Sequence, residues 1–338
     1  MKKNKTLEDV AAAAGVSKMT ASRALRGDRD VSAANVEKVT QVARAIGYYG
    51  NYLAASLSSK RSNLIGVVVP AMSNIVFPQV MSGVSDALSG TGLQPVFGVT
   101  DYDTEKEYEI IRNMLSWRPA GLILTGLDQA KDTVKLLETI DIPVVQIMDS
   151  DGTPIDRCIG FSHTKAGSEM AQAILSYGRK KIGFVGANID KDTRAAKRRK
   201  GFLGALAEKG LSYYGERIST GPSSVTIGRN LAEDLINGNP DIDCIYFTND
   251  DLAIGGLGYC LENGINVPQR LVLVGFNDLE LLSAFPGKIA TSRTSRQEIG
   301  EKAAEMILDS LKNRDASVAK TTIIQPEIRL GAIVLTAT

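Results

Sequence analysis

The sequence predicts a small three-helix headpiece built around a helix-turn-helix, followed by an α/β core of two Rossmann-like parallel-sheet lobes. Three observations predict this. Residues 6–47 carry helical periodicity with capping residues and no strand pattern. From residue 64 onward, short continuous apolar runs alternate with amphipathic stretches, the signature of parallel strands covered on both faces. Charge is divided between the two parts: the first 63 residues hold eleven Lys/Arg and five Asp/Glu, a net of +6, while the rest of the chain nets −5.

Thr6 is placed to cap the first helix, with Asp9 three residues on completing a capping box. Leu7, Val10, Ala11 and Ala14 then share one face, and Gly15 ends the helix. Ser17 caps a second helix, residues 18–26, whose inner face is expected to be Ala21, Ala24 and Leu25. Two short helices about an Ala14-Gly15-Val16 turn give helix-turn-helix geometry. Ser32 caps a third helix bearing Val36, Val39, Val42, Ala43 and Ile46, closed by Gly47. The outward face of the second helix presents Lys18, Met19, Thr20, Ser22 and Arg23. Lys and Arg there can bond guanine O6 and N7, and Met19 can touch thymine methyls. Ser17, Thr20 and Ser22 suit phosphate contacts. The alternative is a helical bundle with a solvated basic face.

The run from Thr6 to Leu25, continued by Ile46-Gly47-Tyr48, Asn51-Tyr52-Leu53-Ala54-Ala55-Ser56-Leu57 and Leu64-Ile65-Gly66-Val67, resembles the lactose-repressor (LacI/GalR) family over essentially the whole chain. The resemblance implies operator binding with Thr6, Asn51, Ala54 and Leu57 added to the DNA-contacting set. It also implies that residues 51–58 form a hinge helix on DNA, where Leu57 wedges into the minor groove and kinks the duplex. A short Ala-rich segment is too short to be a stable helix alone, so folding on a partner suits it. The expected organisation is a headpiece over 1–50, hinge helix and linker over 51–62, and an effector-binding and dimerisation domain over 63–338. Within the last, the N-lobe covers about 63–161 and 291–322, and the C-lobe about 162–290 and 323–338.

In the core, 64–70, 94–99, 121–125 and 143–148 read as parallel strands, with helices near 78–89, 104–116 and 131–139. A second set of strands follows at 158–161, 181–185, 244–247 and 271–276. Neither half carries a Gly-x-Gly-x-x-Gly fingerprint or a phosphate-binding loop, so no nucleotide cofactor is expected. Gly255 and Gly256 read as helix-packing residues. The resemblance implies a periplasmic-binding-protein-like fold with its ligand between the lobes, and α/β logic points to the same strand ends. The residues following the strands are therefore the effector candidates: Ser73, Asn74 and Phe77; Asp149; His163 at the crossover; Arg194; Asn249; Asn277; and Arg296. Phe77 has core packing as its alternative. Asp250 or Asp251 could be a helix cap, and Asp278 could hold a turn.

The runs 114–125, 142–149 and 247–253 are most similar to the gluconate-type repressors of that family, in which arginines match Arg194 and Arg296. Lys197 and Arg293 fall in segments that the resemblance places at the cleft or its rim. The implied effector is a sugar acid, such as gluconate, a ketogluconate or a phosphorylated derivative, with a guanidinium as its bidentate carboxylate partner. Arg198, Arg199 and Lys200 read as the solvated side of a helix. A neutral-sugar effector or a plain solute-binding protein are the alternatives. A homodimer on a near-palindromic operator is expected, released by the acid.

Other classes fare poorly. One histidine, His163, and three scattered cysteines, Cys158, Cys244 and Cys260, leave little for a metal site or a Ser-His or Cys-His nucleophile. The basic start runs into Glu8 and Asp9 where a signal peptide needs an apolar core, and no apolar run spans a bilayer. The expectation is a cytoplasmic regulator without cofactor, metal, membrane contact or enzymatic activity.

Overall fold

The computed structural model describes residues 5–26, 30–49, 61–72, 75–312 and 320–331. The chain divides into two compact units, Met1–Ser62 and Asn63–Thr338.

The first unit contains α1 (Leu7–Ala14), α2 (Lys18–Arg26) and α3 (Ala33–Ile46). Its boundaries are set locally. Thr6 and Asp9 exchange the two bonds of a capping box, Asp9 N to Thr6 Oγ1 at 3.3 Å and Thr6 N to Asp9 Oδ2 at 2.8 Å. Ser17 Oγ accepts from Thr20 N at 3.0 Å, and Ser32 accepts from Asn35 N. Gly15 and Gly47 close α1 and α3 at φ of +63° and +70°, a left-handed conformation that a side chain would strain. Val10, Ala11, Ala14, Ala21, Ala24, Val39 and Ala43 form the small core, flanked by Leu7, Val16, Val36, Val42 and Ile46. Leu25, expected inside with Ala21 and Ala24, lies at the surface instead. The expected hinge contacts Asn51, Ala54 and Leu57, and the cleft candidates Ser73 and Asn74, lie outside the described residues.

The second unit holds two six-stranded sheets. The first runs β11-β5-β4-β3-β1-β2, comprising β1 (Leu64–Val69), β2 (Gln94–Val99), β3 (Gly121–Thr125), β4 (Val144–Ile147), β5 (Arg157–Gly160) and β11 (Thr321–Ile323), all parallel. The second runs β12-β10-β9-β8-β6-β7, comprising β6 (Ile182–Ala187), β7 (Gly215–Ser219), β8 (Cys244–Phe247), β9 (Val272–Val274), β10 (Ile289–Arg293) and β12 (Glu327–Arg329). Only β12 is antiparallel in it.

Both faces of each sheet are covered, which explains the unbroken apolar runs. In β1, Ile65, Val67 and Val69 join one core cluster while Val68 joins the opposite one. In β8, Ile245 and Phe247 face one side, and Cys244 and Tyr246 the other. Helices α4 (Val76–Leu88) and α11 (Arg296–Lys312) pack on one face of the first sheet, with α5 (Thr104–Ser116) and α6 (Lys131–Glu138) on the other. The second sheet lies between the pair α7 (His163–Ser176) and α8 (Thr193–Ala207) and the pair α9 (Val225–Gly238) and α10 (Asp250–Glu262). As expected, Gly255 lies at a helix interface, where a methyl group would collide with Val225 O, while Gly256 packs its helix onto the sheet, where a methyl group would collide with the Phe247 ring of β8.

Two expectations are corrected. The strand near 158–161 reads in sequence as the start of the second set, but β5 pairs with β4 in the first sheet, within the N-lobe bounds of 63–161. The chain was expected to return to the first lobe at 291, yet β10 stays in the second sheet through Arg293 and the crossing follows it. Among the described residues, no helix is long and apolar enough to cross a membrane.

Candidate effector site and nucleic-acid interface

In the headpiece, α2 exposes Met19 at 65% of its surface. Lys18 Nζ lies 2.5 Å from Glu8 Oε1, and Arg23 Nη1 lies 2.7 Å from Asp30 Oδ2. Both pairs are open to water, so neither cation is held strongly in place. The hydroxyls of Ser17 and Thr20 sit 2.8 Å apart. Ser22 is half-buried and Thr6 is exposed in its capping box. The result is a basic, solvated helix start with one apolar tip.

In the larger unit, each sheet has a switch point where the chain leaves a central strand in opposite directions: β1/β3 in the first and β6/β8 in the second. Loops diverge at such points and leave a crevice at the strands' C-terminal ends. Phe77 at the start of α4 is buried in the first lobe's core. The Arg194 guanidinium stands 5.8 Å from its ring centroid and 5.9 Å from that of Tyr102, so Phe77 serves packing and a cation contact together. Arg194 also lies 3.5 Å from Asp192.

Asp149 is fully buried after β4, and burial pushes its carboxyl above the ordinary range against the pull of Lys197. Its Oδ1 accepts from Asp151 N at 2.9 Å, and its Oδ2 from Lys197 Nζ at 2.6 Å. Lys197 also reaches Asp128 Oδ2 at 2.6 Å. One ammonium on α8 thus ties the second lobe to two carboxylates of the first.

His163, the first residue of α7, is buried beside Arg198. Its Nε2 donates to Met148 O at 2.7 Å, which leaves Nδ1 as an acceptor for Arg198 Nη1 at 2.9 Å. Burial, then the neighbouring Arg198 charge, holds its pKa well below 6.5, so the ring is neutral. Arg198 Nη2 donates to Thr248 O at 2.9 Å, and its guanidinium carbon stacks 4.2 Å from the Phe276 centroid. This corrects the expectation of a solvated Arg198. Its neighbour Arg199 is half-buried on Glu216, Phe184 and Tyr213, and Lys200 alone of the three is exposed.

Arg296 departs from expectation in its geometry. Its Nε donates to Gln79 Oε1 at 2.6 Å, Nη1 to Asn277 O and to Thr294 Oγ1 at 2.9 Å, and Nη2 to Asp278 O at 3.4 Å. Four of its five N–H groups are therefore engaged by the protein, and a bidentate fork is not open. It fastens a loop whose residues Asn277 and Asp278 both have positive φ. By contrast, Arg198 makes one protein hydrogen bond through each of Nη1 and Nη2, its buried Nε has no well-formed bond although the Tyr246 hydroxyl lies against the guanidinium, and no carboxylate among the described residues forms an ion pair with it.

Asn249 caps α10, accepting from Leu252 N and exchanging bonds with Ser223. Asp250 is buried; its carboxylate accepts from Thr291 Oγ1 and Leu279 N, both at 2.8 Å, and burial raises its pKa to about 6. Asp278 pairs with Arg329 at 3.1 Å. Arg293 is exposed near Glu327 on β12. The sequence reading missed Glu107 on α5, a half-buried carboxyl facing Gln129 and Arg194, which burial pushes up to about 7. Its signal was faint, because Glu in a polar helix ordinarily faces water.

A helix-turn-helix ahead of a two-lobed α/β domain is the build of a DNA-binding transcriptional regulator. The chain belongs to the LacI family: the family of bacterial regulatory proteins, lacI family, matches residues 6–51, and that of periplasmic binding proteins and the sugar binding domain of the LacI family matches residues 62–331. The HTH-type transcriptional regulator GntR of Pseudomonas aeruginosa is 37% identical over 311 residues, covering 92% of this chain and 90% of its own. The crystal structure of a LacI family transcriptional regulator from Silicibacter pomeroyi is similar at a TM-score of 0.93 and 45% identity, over 97% of this chain and 98% of that one. The transcription regulator GntR of Chromobacterium violaceum is similar at a TM-score of 0.73 and 32% identity, over 79% of this chain and 98% of its own.

Proposed function

We propose that this regulator represses sugar-acid catabolic genes, bound as a homodimer to a near-palindromic operator and released when a gluconate-type acid enters the cleft. The observation that carries the reading is Arg198: a buried guanidinium with unmet donors and no ion-pairing carboxylate among the described residues. An uncompensated buried cation is costly, and a planar carboxylate supplied by a ligand is its natural partner. Arg194 and Lys197 on the same helix add positive charge, while Asp149 and Asn277 offer hydrogen bonds to hydroxyls. This moves the carboxylate clamp from Arg296 to Arg198.

The test is calorimetry against gluconate, ketogluconates and idonate, with glucose and ribose as neutral controls, paired with operator titrations. The acids should bind and the neutral sugars should not. Bound acid should lower operator affinity roughly 5–150-fold, the usual range of coupling between sites. Neutral sugars binding in place of acids would overturn the effector class, and an acid that tightened operator binding would make it a co-repressor. Sedimentation of the free protein as a monomer at micromolar concentration, with or without operator, would overturn the homodimer.

A further inference from the structure

The cavity at the β1/β3 switch point has no part in gripping a carboxylate, yet both lobes line it. Thr100, Glu107, Thr125 and Gln129 come from the first lobe, and Thr193 and Arg194 from the second. From this geometry, and resting on the sugar-acid reading above, we infer that the cavity is a separate subsite for the hydroxyl-bearing tail of the acid, and that it rejects a phosphorylated tail.

Reach comes first. Arg194 and Arg198 lie four residues apart on α8, so one stands about 6 Å along the axis from the other on the same face. An extended six-carbon acid held by its carboxylate at Arg198 covers that distance and brings its far end beside Arg194.

Charge comes second. With Asp128 held by Lys197 and Arg194 facing Asp192, the ionised carboxylates of Asp103 and Glu107 outnumber the remaining cation, Lys191, around the cavity. A phosphate dianion would enter a site with a surplus of negative charge, and like charges brought together disfavour the wrong partner. Neutral hydroxyls meet no such barrier.

Orientation comes third. Ile155 N donates to Gln146 Oε1 at 2.7 Å, and Gln146 Nε2 donates to Gln129 Oε1 at 2.7 Å. With its oxygen committed, Gln129 turns its N–H groups toward Thr125 O, Gly126 O and the Glu107 carboxyl. The relay holds Glu107 as an acceptor at the cavity wall, where a ligand hydroxyl can donate to it. Burial that raises Glu107 to about 7 is consistent with a carboxyl poised for a neutral donor rather than an anion.

The experiment compares gluconate, 6-phosphogluconate and the four-carbon acid threonate by calorimetry at a pH above about 7, where Glu107 is ionised, on the wild type and on Glu107→Gln, with thermal melting as the folding check. The substitution keeps the shape and removes a buried charge, so the variant should fold. Wild type should bind gluconate roughly tenfold or more tighter than 6-phosphogluconate, the scale of one unfavourable charge contact, and Glu107→Gln should narrow that ratio. Threonate, lacking the tail, should bind more weakly than gluconate to wild type. If gluconate binds but 6-phosphogluconate binds equally well, or if Glu107→Gln leaves the ratio unchanged, the subsite is wrong while the sugar-acid reading stands. If no sugar acid binds, both fall.

Discussion

His163 Nδ1 accepts a 2.9 Å hydrogen bond from Arg198 Nη1, so the single imidazole of the chain is locked neutral between a guanidinium and the Met148 carbonyl. Its pKa lies well below 6.5 because burial and the adjacent Arg198 charge both oppose protonation. The unfolded chain therefore takes up a proton at this residue as pH falls below 6.5, while the native state does not. Stability is fully present above that pH and is lost as acid is added. Wild type should lose up to about 1.4 kcal/mol per pH unit from this one group. His163→Gln, which offers a donor and an acceptor but no titration, should show a flatter acid limb in urea unfolding. Parallel pH profiles for the two proteins would refute the locked neutral ring.

Glu107 acts in the opposite direction. Burial raises its pKa from 4.5 to about 7, so the native state holds a proton that the unfolded chain has released. Its contribution is fully present below 4.5 and is lost as pH rises through about 7. Glu107→Gln should be more stable than wild type at alkaline pH, on the order of 1–3 kcal/mol, with the advantage fading in acid. Denaturant midpoints across that range measure it. Equal stabilities above neutrality would mean that the carboxyl is solvated.

Arg198 and Arg296 should separate cleanly under substitution. Arg198→Ala removes the buried guanidinium and should weaken sugar-acid binding by roughly 2–5 kcal/mol, leaving operator binding nearly intact. Arg296→Ala releases the Asn277 and Asp278 carbonyls, so its first effect should be a stability loss of about 1–3 kcal/mol. Calorimetry and urea unfolding on both variants decide between them. An Arg296→Ala protein of normal stability that cannot bind acid, beside an Arg198→Ala protein that binds it, would reverse the assignment.

What the sequence disclosed follows the range of the forces involved. The headpiece was legible because Thr6, Ser17, Ser32, Gly15 and Gly47 set helix ends through contacts within a few residues. Central strands were legible because burial on both faces requires unbroken apolar runs, as in β1 and β3. The edge strands β7 and β12 were not: β7 carries Glu216 and Arg217, and β12 carries Glu327 and Arg329, so their composition reads as loop, whereas the more apolar edge strand β2 was legible. Arg198 was misread because charge favours water unless tertiary structure supplies partners, and its partners His163 and Thr248 lie 35 and 50 residues away. Arg296 was placed at the correct strand end, but its carbonyl partners are visible only in three dimensions.

The His163–Arg198 pair also depends on how closely two helices approach. A methyl at Gly201 would fall on the Thr164 carbonyl, and one at Gly167 on the Arg198 carbonyl, so α7 and α8 meet backbone to backbone. Gly201→Ala should force the helices apart and cost about 1–3 kcal/mol, the usual effect of overpacking. Because Thr164 adjoins His163, the same change should weaken sugar-acid binding. Gly204→Ala, four residues before Glu208 with open space around it, is the control and should be neutral or slightly stabilising. If Gly201→Ala matched that control in unfolding and in calorimetry, close helix approach would not be what positions Arg198.

If Arg23 and Lys18 contact operator DNA, they should exchange their intramolecular partners for bases and phosphates. Arg23 pairs with Asp30, and Lys18 with Glu8, through solvent-exposed bridges worth at most about 1 kcal/mol each, so release is easy. Arg23→Ala should cost roughly 1–3 kcal/mol per half-site if it reads a guanine, and should relax discrimination between operator and random duplex. Asp30→Asn removes a competitor for the guanidinium and a repulsive charge near phosphate, so it should bind operator as tightly as wild type or more tightly. For both, affinity should fall steeply as salt rises, because neutralised phosphates shed their counterions. Anisotropy titrations of operator and random duplex at several salt concentrations provide the measurement. If Arg23→Ala bound both duplexes as wild type does, the base-reading role would pass to Lys18 and Met19 at the start of α2, and Arg23 would be a surface residue held by Asp30.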